Sequence, residues 1–266
     1  MKINKSIYAL IGVLLFAVLQ GCSYTSVRQH KDFNEYVKDV EYIVIAPPAV
    51  TVEEVTFTGE NNKLADKETA IREELVKLAK AKLEARGFKV VDFDINAEME
   101  NDKDFAFEVN QVEEAFKQAR QELYDGKQVS EEDKAKFNAS LGPVVNTIVS
   151  RAGADAVLLL HYYGYEKSAG MIAKDIAASV LLTLVTGSTP VAATEGSQVE
   201  VALIDGDTGA VLWVNTRAAP VLSAGVTSMT MDDLPGTNTV AQSMPAGEYA
   251  PEKTAASAAS TSADDN

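Results

Sequence analysis

The strongest constraint on the fold is a strand–helix–strand succession near the beginning of the chain. The β-branched run 42–45 predicts a strand that ends at Pro47, because a proline nitrogen cannot donate to a β-ladder. Between residues 64 and 86 apolar side chains recur at helical spacing, and Gly87 provides a C-terminal cap. Residues 88–93 alternate like a second strand. Two strands joined by a helix normally pair in parallel, so we expect the chain to start with a βαβ unit.

Residues 94–140 are rich in acidic and amide side chains and carry apolar residues at helical spacing. This pattern predicts an acidic helical insertion with a charged, solvated surface. Gly126 and the start signal at 130–133 break it into two helices.

The second half of the chain predicts the remaining strands. The apolar run 156–160 indicates a buried central strand, and residues 198–204 and 210–215 flank a turn as an antiparallel hairpin. The aspartates within 205–209 mimic part of a calcium loop, but the missing bidentate glutamate favours a plain turn. Together the elements predict an α/β fold, with a mixed sheet that starts in a βαβ unit and ends in a hairpin, plus the acidic helical insertion.

The segment 171–185 is apolar but contains Lys174 and Asp175. It is too short, and too charged at its start, to span a bilayer as a helix. Two interpretations remain open: a helix of the core or of a subunit contact, or a segment that inserts or oligomerises.

The N-terminus has the pattern of an export signal followed by a lipid attachment site. In residues 1–21 two lysines precede an apolar stretch of about a dozen residues, whereas a spanning helix needs about 20. Cys22 is the only cysteine. The residues before it resemble the bacterial lipobox that a signal peptidase recognises: Leu19, Gln20 and Gly21. The resemblance implies diacylglycerol on the Cys22 thiol and a third acyl chain on its amine, which would anchor the chain stably.

Ser23 follows the cysteine, where an inner-membrane retention signal usually shows aspartate. The resemblance therefore implies an outer-membrane protein that faces the periplasm, with the inner membrane or the cell surface as weaker alternatives. We expect a lipidated tether at 22–38, an α/β domain at 39–220 and a largely disordered tail at 221–266, which ends in Ala, Ser, Thr and acidic residues.

Composition restricts the partners. The chain is 46% hydrophobic and 24% charged, as in ordinary globular proteins, and its formal net charge is -15. Such a charge, with no basic cluster, argues against nucleic acid as a partner. A single cysteine cannot close an internal disulfide, so stability has to come from packing.

The sequence offers little for catalysis. The only histidines are His30 and His161, and there is no Gly-x-Ser-x-Gly elbow, thiol pair or helical pair of histidines. We therefore expect no enzyme, no catalytic residue, no metal and no cofactor. The candidate binding residues form one cluster at the end of the apolar strand: His161, Tyr162, Tyr163 and Tyr165.

Four short motifs, taken in order, resemble a known group of proteins: 43–48, 87–91, 153–158 and 207–213. As a set they are similar to the envelope lipoproteins grouped around the TolB N-terminal domain fold. This group includes the penicillin-binding-protein activator LpoB, the curli secretion lipoprotein CsgG and many lipoproteins of unknown role. The similarity covers about residues 40–220 and implies the fold, but a shared scaffold does not fix a function.

Three functions remain open at this point. The first is a non-catalytic periplasmic module that binds an envelope protein and assists assembly or transport. The second is an oligomeric, pore-forming or ring-forming secretion lipoprotein in which 171–185 packs between subunits or touches the bilayer. The third is an enzyme or small-ligand binder that uses the cluster at His161.

Overall fold

A computed structural model describes residues 24–124, 128–186 and 193–237. Their strands are β1 (Tyr24–Thr25), β2 (Arg28–Gln29), β3 (Tyr42–Ile45), β4 (Ala49–Val55), β5 (Asn62–Lys63), β6 (Lys89–Val90), β7 (Val129–Ser130), β8 (Ala156–Lys167), β9 (Glu195–Asp205) and β10 (Val211–Ala219). Their helices are α1 (Phe33–Tyr36), α2 (Ala65–Ala85), α3 (Ile95–Asn101), α4 (Lys103–Tyr124), α5 (Val145–Ala152), α6 (Ala169–Thr186) and α7 (Val226–Thr230), with 3₁₀ turns at Val37–Asp39 and Met231–Asp233.

Eight of these strands form one mixed sheet in the order β2-β10-β9-β8-β3-β6. Strand β3 pairs with the beginning of β8, and β4 pairs with the remainder of β8 on the same side. Strand β5 pairs with β4. Strands β3 and β6 are parallel and joined through α2, which confirms the predicted βαβ unit. Strands β9 and β10 are antiparallel, which confirms the hairpin. The α/β fold class is therefore as predicted.

Helices cover both faces of the sheet because β8 is apolar on both sides. On one face Leu158 and Leu160 pack with α2 and α7, and on the other Val157 and Leu159 pack with α3, α4 and α5. The two cores are fully desolvated, so hydrophobic burial is their main source of stability. The predicted buried strand is correct, but it continues seven residues beyond Leu160.

Local signals at two turns are confirmed. Helix α2 ends just before Gly87, whose φ of 92° is the left-handed conformation that a helix C-cap requires. In the β9–β10 turn Asp205 Oδ2 accepts hydrogen bonds from Thr208 N at 2.8 Å and Thr208 Oγ1 at 2.6 Å. The carboxylate is thus used by the turn itself, as the turn interpretation expects.

The packed domain is longer at both ends than predicted. From Tyr24 onward the expected tether is folded: Phe33 and Val37, one helical turn apart, are buried in the core, and β2 pairs with β10. Beyond residue 220, α7 and the following 3₁₀ turn bury Val226, Met231 and Leu234. The predicted domain bounds were wrong here because short segments with few apolar residues can still pack against an existing core. Residues 238–266 lie outside the described part of the chain.

The second half of the acidic insertion also differs from the prediction. Helices α3 and α4 occupy its first part, but no helix starts at Ser130. Instead Ser130 Oγ donates to Asp133 Oδ2 at 2.7 Å and closes a turn. Gln29 N donates to Lys134 O at 3.2 Å, so backbone pairing with the start of the domain replaces the predicted second helix.

Helix α6 corresponds to the apolar segment 171–185. None of its described side chains, which are those of residues 169–179, belongs to either core. Among all described residues, no helix has the length and apolar character needed to cross a membrane.

Candidate functional site

The candidate site lies where α4 stops covering the sheet. Along β8 the side chains on the α4 side are Val157 and Leu159, which are buried, followed by His161 and Tyr163. Strand register places His161 opposite Glu200 of β9. The last apolar contacts of this core are therefore followed directly by a row of polar groups.

A chain of charged side chains links the sheet to α4. His161 Nε2 lies 2.8 Å from Glu113 Oε2, and His161 Nδ1 lies 3.9 Å from Glu200 Oε2. Arg120 Nε lies 2.7 Å from the same Glu200 oxygen. Glu113 and Arg120 are two helical turns apart and share one face of α4, with Phe116 between them, whose ring meets His161 edge-on at 5.1 Å. We call these four side chains, Glu113, Arg120, His161 and Glu200, the charge relay.

Glu200 is the most buried member of the charge relay, with only 3% of its surface exposed. Desolvation raises the pKa of its carboxyl, while the nearby Arg120 and His161 act in the opposite direction. A buried carboxylate is tolerated when it is paired, and here Arg120 supplies the pairing.

Two adjoining clefts open beside the charge relay. The larger, of about 520 Å³, is lined by polar residues that include Lys117, Tyr124 and Thr216. The smaller, of about 200 Å³, is lined by Thr51, His161 and Tyr163 among others. Arg120, Gln198 and Glu200 line both clefts, which therefore meet at the charge relay.

Beyond α4, four polar side chains of the sheet point outward on this side. They are Thr51, Tyr163, Gln198 and Thr216, which we call the open face. Tyr163 is 43% exposed, Gln198 is exposed, and the two threonines are half-buried. Desolvation and the neighbouring Glu53 raise the pKa of the Tyr163 phenol, so it stays a neutral hydrogen-bonding group.

The predicted tyrosine cluster is divided by the alternation of β8. His161 and Tyr163 face the clefts, whereas Tyr162 is 2% exposed in the opposite core. The Tyr165 ring lies against Gly196, where any Cβ would collide with it. His161 and Tyr163 are thus the predicted residues on the cleft side. The sequence analysis did not point to Glu113, Arg120 or Glu200, although Glu200 lies in the strand predicted at 198–204, where alternation places it on the side opposite to Val199 and Val201.

The arrangement supplies paired charges and hydrogen-bonding groups. Within the described ranges, no hydroxyl is hydrogen-bonded to either imidazole nitrogen of His161. The same ranges contain no cluster of three His, Cys, Asp or Glu that could hold a metal. The lipobox residues and Cys22 lie outside the described part of the chain, so lipid attachment stays a prediction.

Comparisons with known proteins add weak likenesses. No family model and no curated protein matches the chain. Lipoprotein GNA1162 from Neisseria meningitidis is 14% identical with a TM-score of 0.30, over 77% of this chain and 99% of that one. The LpoB C-terminal domain from Salmonella enterica is 13% identical with a TM-score of 0.24, over 70% and 91%. A PelC dodecamer from Paraburkholderia phytofirmans is 11% identical with a TM-score of 0.27, over 76% and 87%.

Bacterial lipoproteins are thus among the solved structures that this chain resembles, and LpoB is one member of the group that the sequence motifs resemble. Scores of this size do not establish a shared fold or function. The function has to be argued from the site.

Proposed function

We propose that the chain is a lipid-anchored module of the cell envelope that binds a partner protein and catalyses no reaction. The observation that carries the proposal is the open face with the charge relay at its border. The outward side chains of the open face are exposed or half-buried, and the clefts beside them are open, so the sheet presents a broad, half-polar surface here. Broad surfaces of this kind suit protein partners better than small ligands, which favour concave, mostly apolar sites.

The residue types at this surface are those that protein interfaces favour. Tyrosine and arginine are enriched at interface centres, and here Tyr163 lines the smaller cleft while Arg120 lines both clefts. Arg120 is already oriented by Glu200, so binding costs less of its side-chain freedom than it would for an unpaired arginine. The surface is preorganised for a partner that brings complementary polar groups.

Binding is favoured over catalysis because the imidazole is already engaged. Carboxylates face both nitrogens of His161, one at 2.8 Å and one at 3.9 Å. A general base for acyl transfer needs a nucleophile within hydrogen-bond reach, and no such pair is formed by the described residues. The charge relay therefore holds α4 against the sheet and sets the charge of the surface.

A photoreactive amino acid at Gln198 tests the proposal in living cells. We expect an adduct of discrete mass from this position, and none from the matched position Gln118, an exposed glutamine on the outer side of α4. Arg120→Ala combined with the Gln198 probe should weaken the adduct, because it removes a group at the same junction. An adduct of twice the chain mass would instead favour the oligomeric alternative, and equal labelling at both positions would contradict the proposal.

The anchor is tested separately with Cys22→Ala. We expect the variant to leave the membrane fraction or to remain an uncleaved precursor, because no acyl chain can be attached. Cys22→Ser should behave in the same way, since serine is close to cysteine in size and shape but cannot form the thioether. Unchanged mass and unchanged membrane fractionation in both variants would contradict lipid attachment.

A further inference from the structure

Large apolar side chains are exposed together at one end of the sheet. Phe57 follows β4 and is 62% exposed, Ile176 lies in α6 and is 59% exposed, and Val221 follows β10 and is 42% exposed. Register explains their proximity: the end of β4 pairs with the end of β8, which pairs with the beginning of β9, which pairs with the end of β10. We call this the apolar end. Apolar groups gathered at one place on a surface mark an interaction site.

Helix α6 is the largest part of the apolar end. Its 18 residues span about 27 Å, and its only charged residues are Lys174 and Asp175. Both charges are used locally: Lys174 Nζ lies 4.8 Å from the Phe57 ring centroid, and Asp175 Oδ2 lies 2.6 Å from Lys167 Nζ. The helix is thus fastened to the domain at its first turns, while none of its described side chains belongs to either core.

The N-terminal segment runs toward this same end. Strand β2 is antiparallel to β10, with Arg28 opposite Val214, so the residues that precede Arg28 run in the direction of Ala219. Ser26 confirms the direction, because its Oγ donates to Asn215 Oδ1 at 2.7 Å. Cys22 is four residues earlier, within about 14 Å of chain reach. Although β1 leaves β10 and pairs with β7, acyl chains on Cys22 can therefore still reach the apolar end.

We propose that the apolar end lies on the lipid bilayer, with α6 in the interface as a second, non-covalent membrane contact beside the acyl anchor. Exposed apolar side chains at a surface can enter the boundary between headgroups and acyl chains, and binding strengthens with the apolar area that is buried there. The formal net charge of -15 repels anionic lipids, so the contact is apolar and does not need them. The orientation rests on the proposed lipid anchor, but the contact itself does not.

Vesicle flotation of the unacylated chain tests the contact on its own. The chain used starts at residue 22 and carries Cys22→Ala, and both cores lie within the described residues that it retains. We expect it to float with zwitterionic phosphatidylcholine vesicles, with little loss of binding at high salt. The double variant Phe57→Glu/Ile176→Glu should reduce partitioning at least about tenfold, because it removes two apolar side chains that would enter the bilayer.

Phe107→Glu is the matched control. Phe107 is 64% exposed, as accessible as Phe57, but lies in the first turns of α4 near the start of β8, away from the apolar end. This variant should float like the parent chain, and thermal unfolding should show that all variants stay folded. Parent chain that does not float, or equal loss in both variants, would overturn the proposal.

A dimer in solution that Phe57→Glu/Ile176→Glu abolishes, without flotation of the parent, would also overturn it, because the apolar end would then cover a second copy. Lack of lipid on Cys22 in cells would contradict only the proposed anchor, since the flotation assay uses no acyl chain.

Discussion

Helices α4 and α6 have similar lengths, 22 and 18 residues, but opposite relations to the domain. Helix α4 carries charged residues on one side and buries a stripe on the other: Phe105, Val109, Val112, Phe116, Ala119 and Leu123. Helix α6 has few charges and none of its described side chains in a core. An amphipathic stripe thus belongs to the domain's own packing, whereas a helix with apolar residues on several sides is available to a surface outside the domain.

The sharpest test of this difference is truncation of one side chain on each helix. Phe116→Ala should lower the free energy of unfolding by about 3–5 kcal/mol, because it opens a cavity beneath α4 next to His161. Ile176→Ala should change it by less than about 0.5 kcal/mol, because its side chain is mostly in solvent. Urea unfolding of both variants gives the comparison. Similar losses in the two would mean that α6 is part of the folded core.

The sequence predicts α4 and α6 with unequal success for the same reason. The stripe of α4 has the 3.6-residue period, so both the helix and its buried face follow from the pattern. The segment 171–185 is apolar without such a period, and a core helix and an outward helix then look alike. Which one it is depends on whether the sheet has an uncovered apolar region to receive it. That depends on the tertiary arrangement of β4, β8 and β9, which no local pattern contains.

At the border of α4 lies an ionisable side chain, Glu200, whereas the stripe that α4 buries is apolar. The stability that the border contributes should therefore depend on pH. Because the pKa of Glu200 is raised, the folded chain binds more protons than the unfolded chain between pH 4.5, the ordinary pKa of this carboxyl, and the pKa in the folded state. The contribution of Glu200 to stability therefore falls as the pH rises through this window, and the burial cost is fully present above the folded pKa. Glu200→Gln has no such proton, so the melting temperature of the parent relative to this variant should decrease with increasing pH.

Asp102→Asn is a control with the opposite sign. Asp102 precedes α4, and its carboxylate accepts from Phe105 N at 3.0 Å, which lowers its pKa, as does Arg151. The contribution of Asp102 to stability is complete above pH 3.8 and is lost only as the pH falls through its lowered pKa. Above pH 4.5 the difference in melting temperature between Asp102→Asn and the parent should be constant, whereas the difference between Glu200→Gln and the parent changes with pH. A constant difference in both would mean that Glu200 is not desolvated.

The charge relay was only partly predictable because its members come from distant segments. His161 stands out as one of two histidines, but Glu113 and Arg120 look like any charged residues on an acidic helix. Their roles arise from their spacing of seven, which matches two turns, and from the docking of α4 over β8 and β9. The period of the helix and the two strands were visible in the sequence, whereas the docking of this helix over these strands was not.

The smallest expected effect concerns how α6 is attached. Asp175→Asn removes the ion pair with Lys167, which should change the global free energy of unfolding by about 0.2–1 kcal/mol, as for other pairs near the surface. Amide exchange in α6 should nevertheless become faster, because none of its described side chains belongs to a core, and helices with little buried surface open locally. Glu114→Gln breaks the comparable pair with Lys117 on α4 and should leave exchange in α4 unchanged, since six buried side chains hold that helix. Equal exchange effects in the two helices, measured by mass spectrometry, would show that buried side chains are not what distinguishes them.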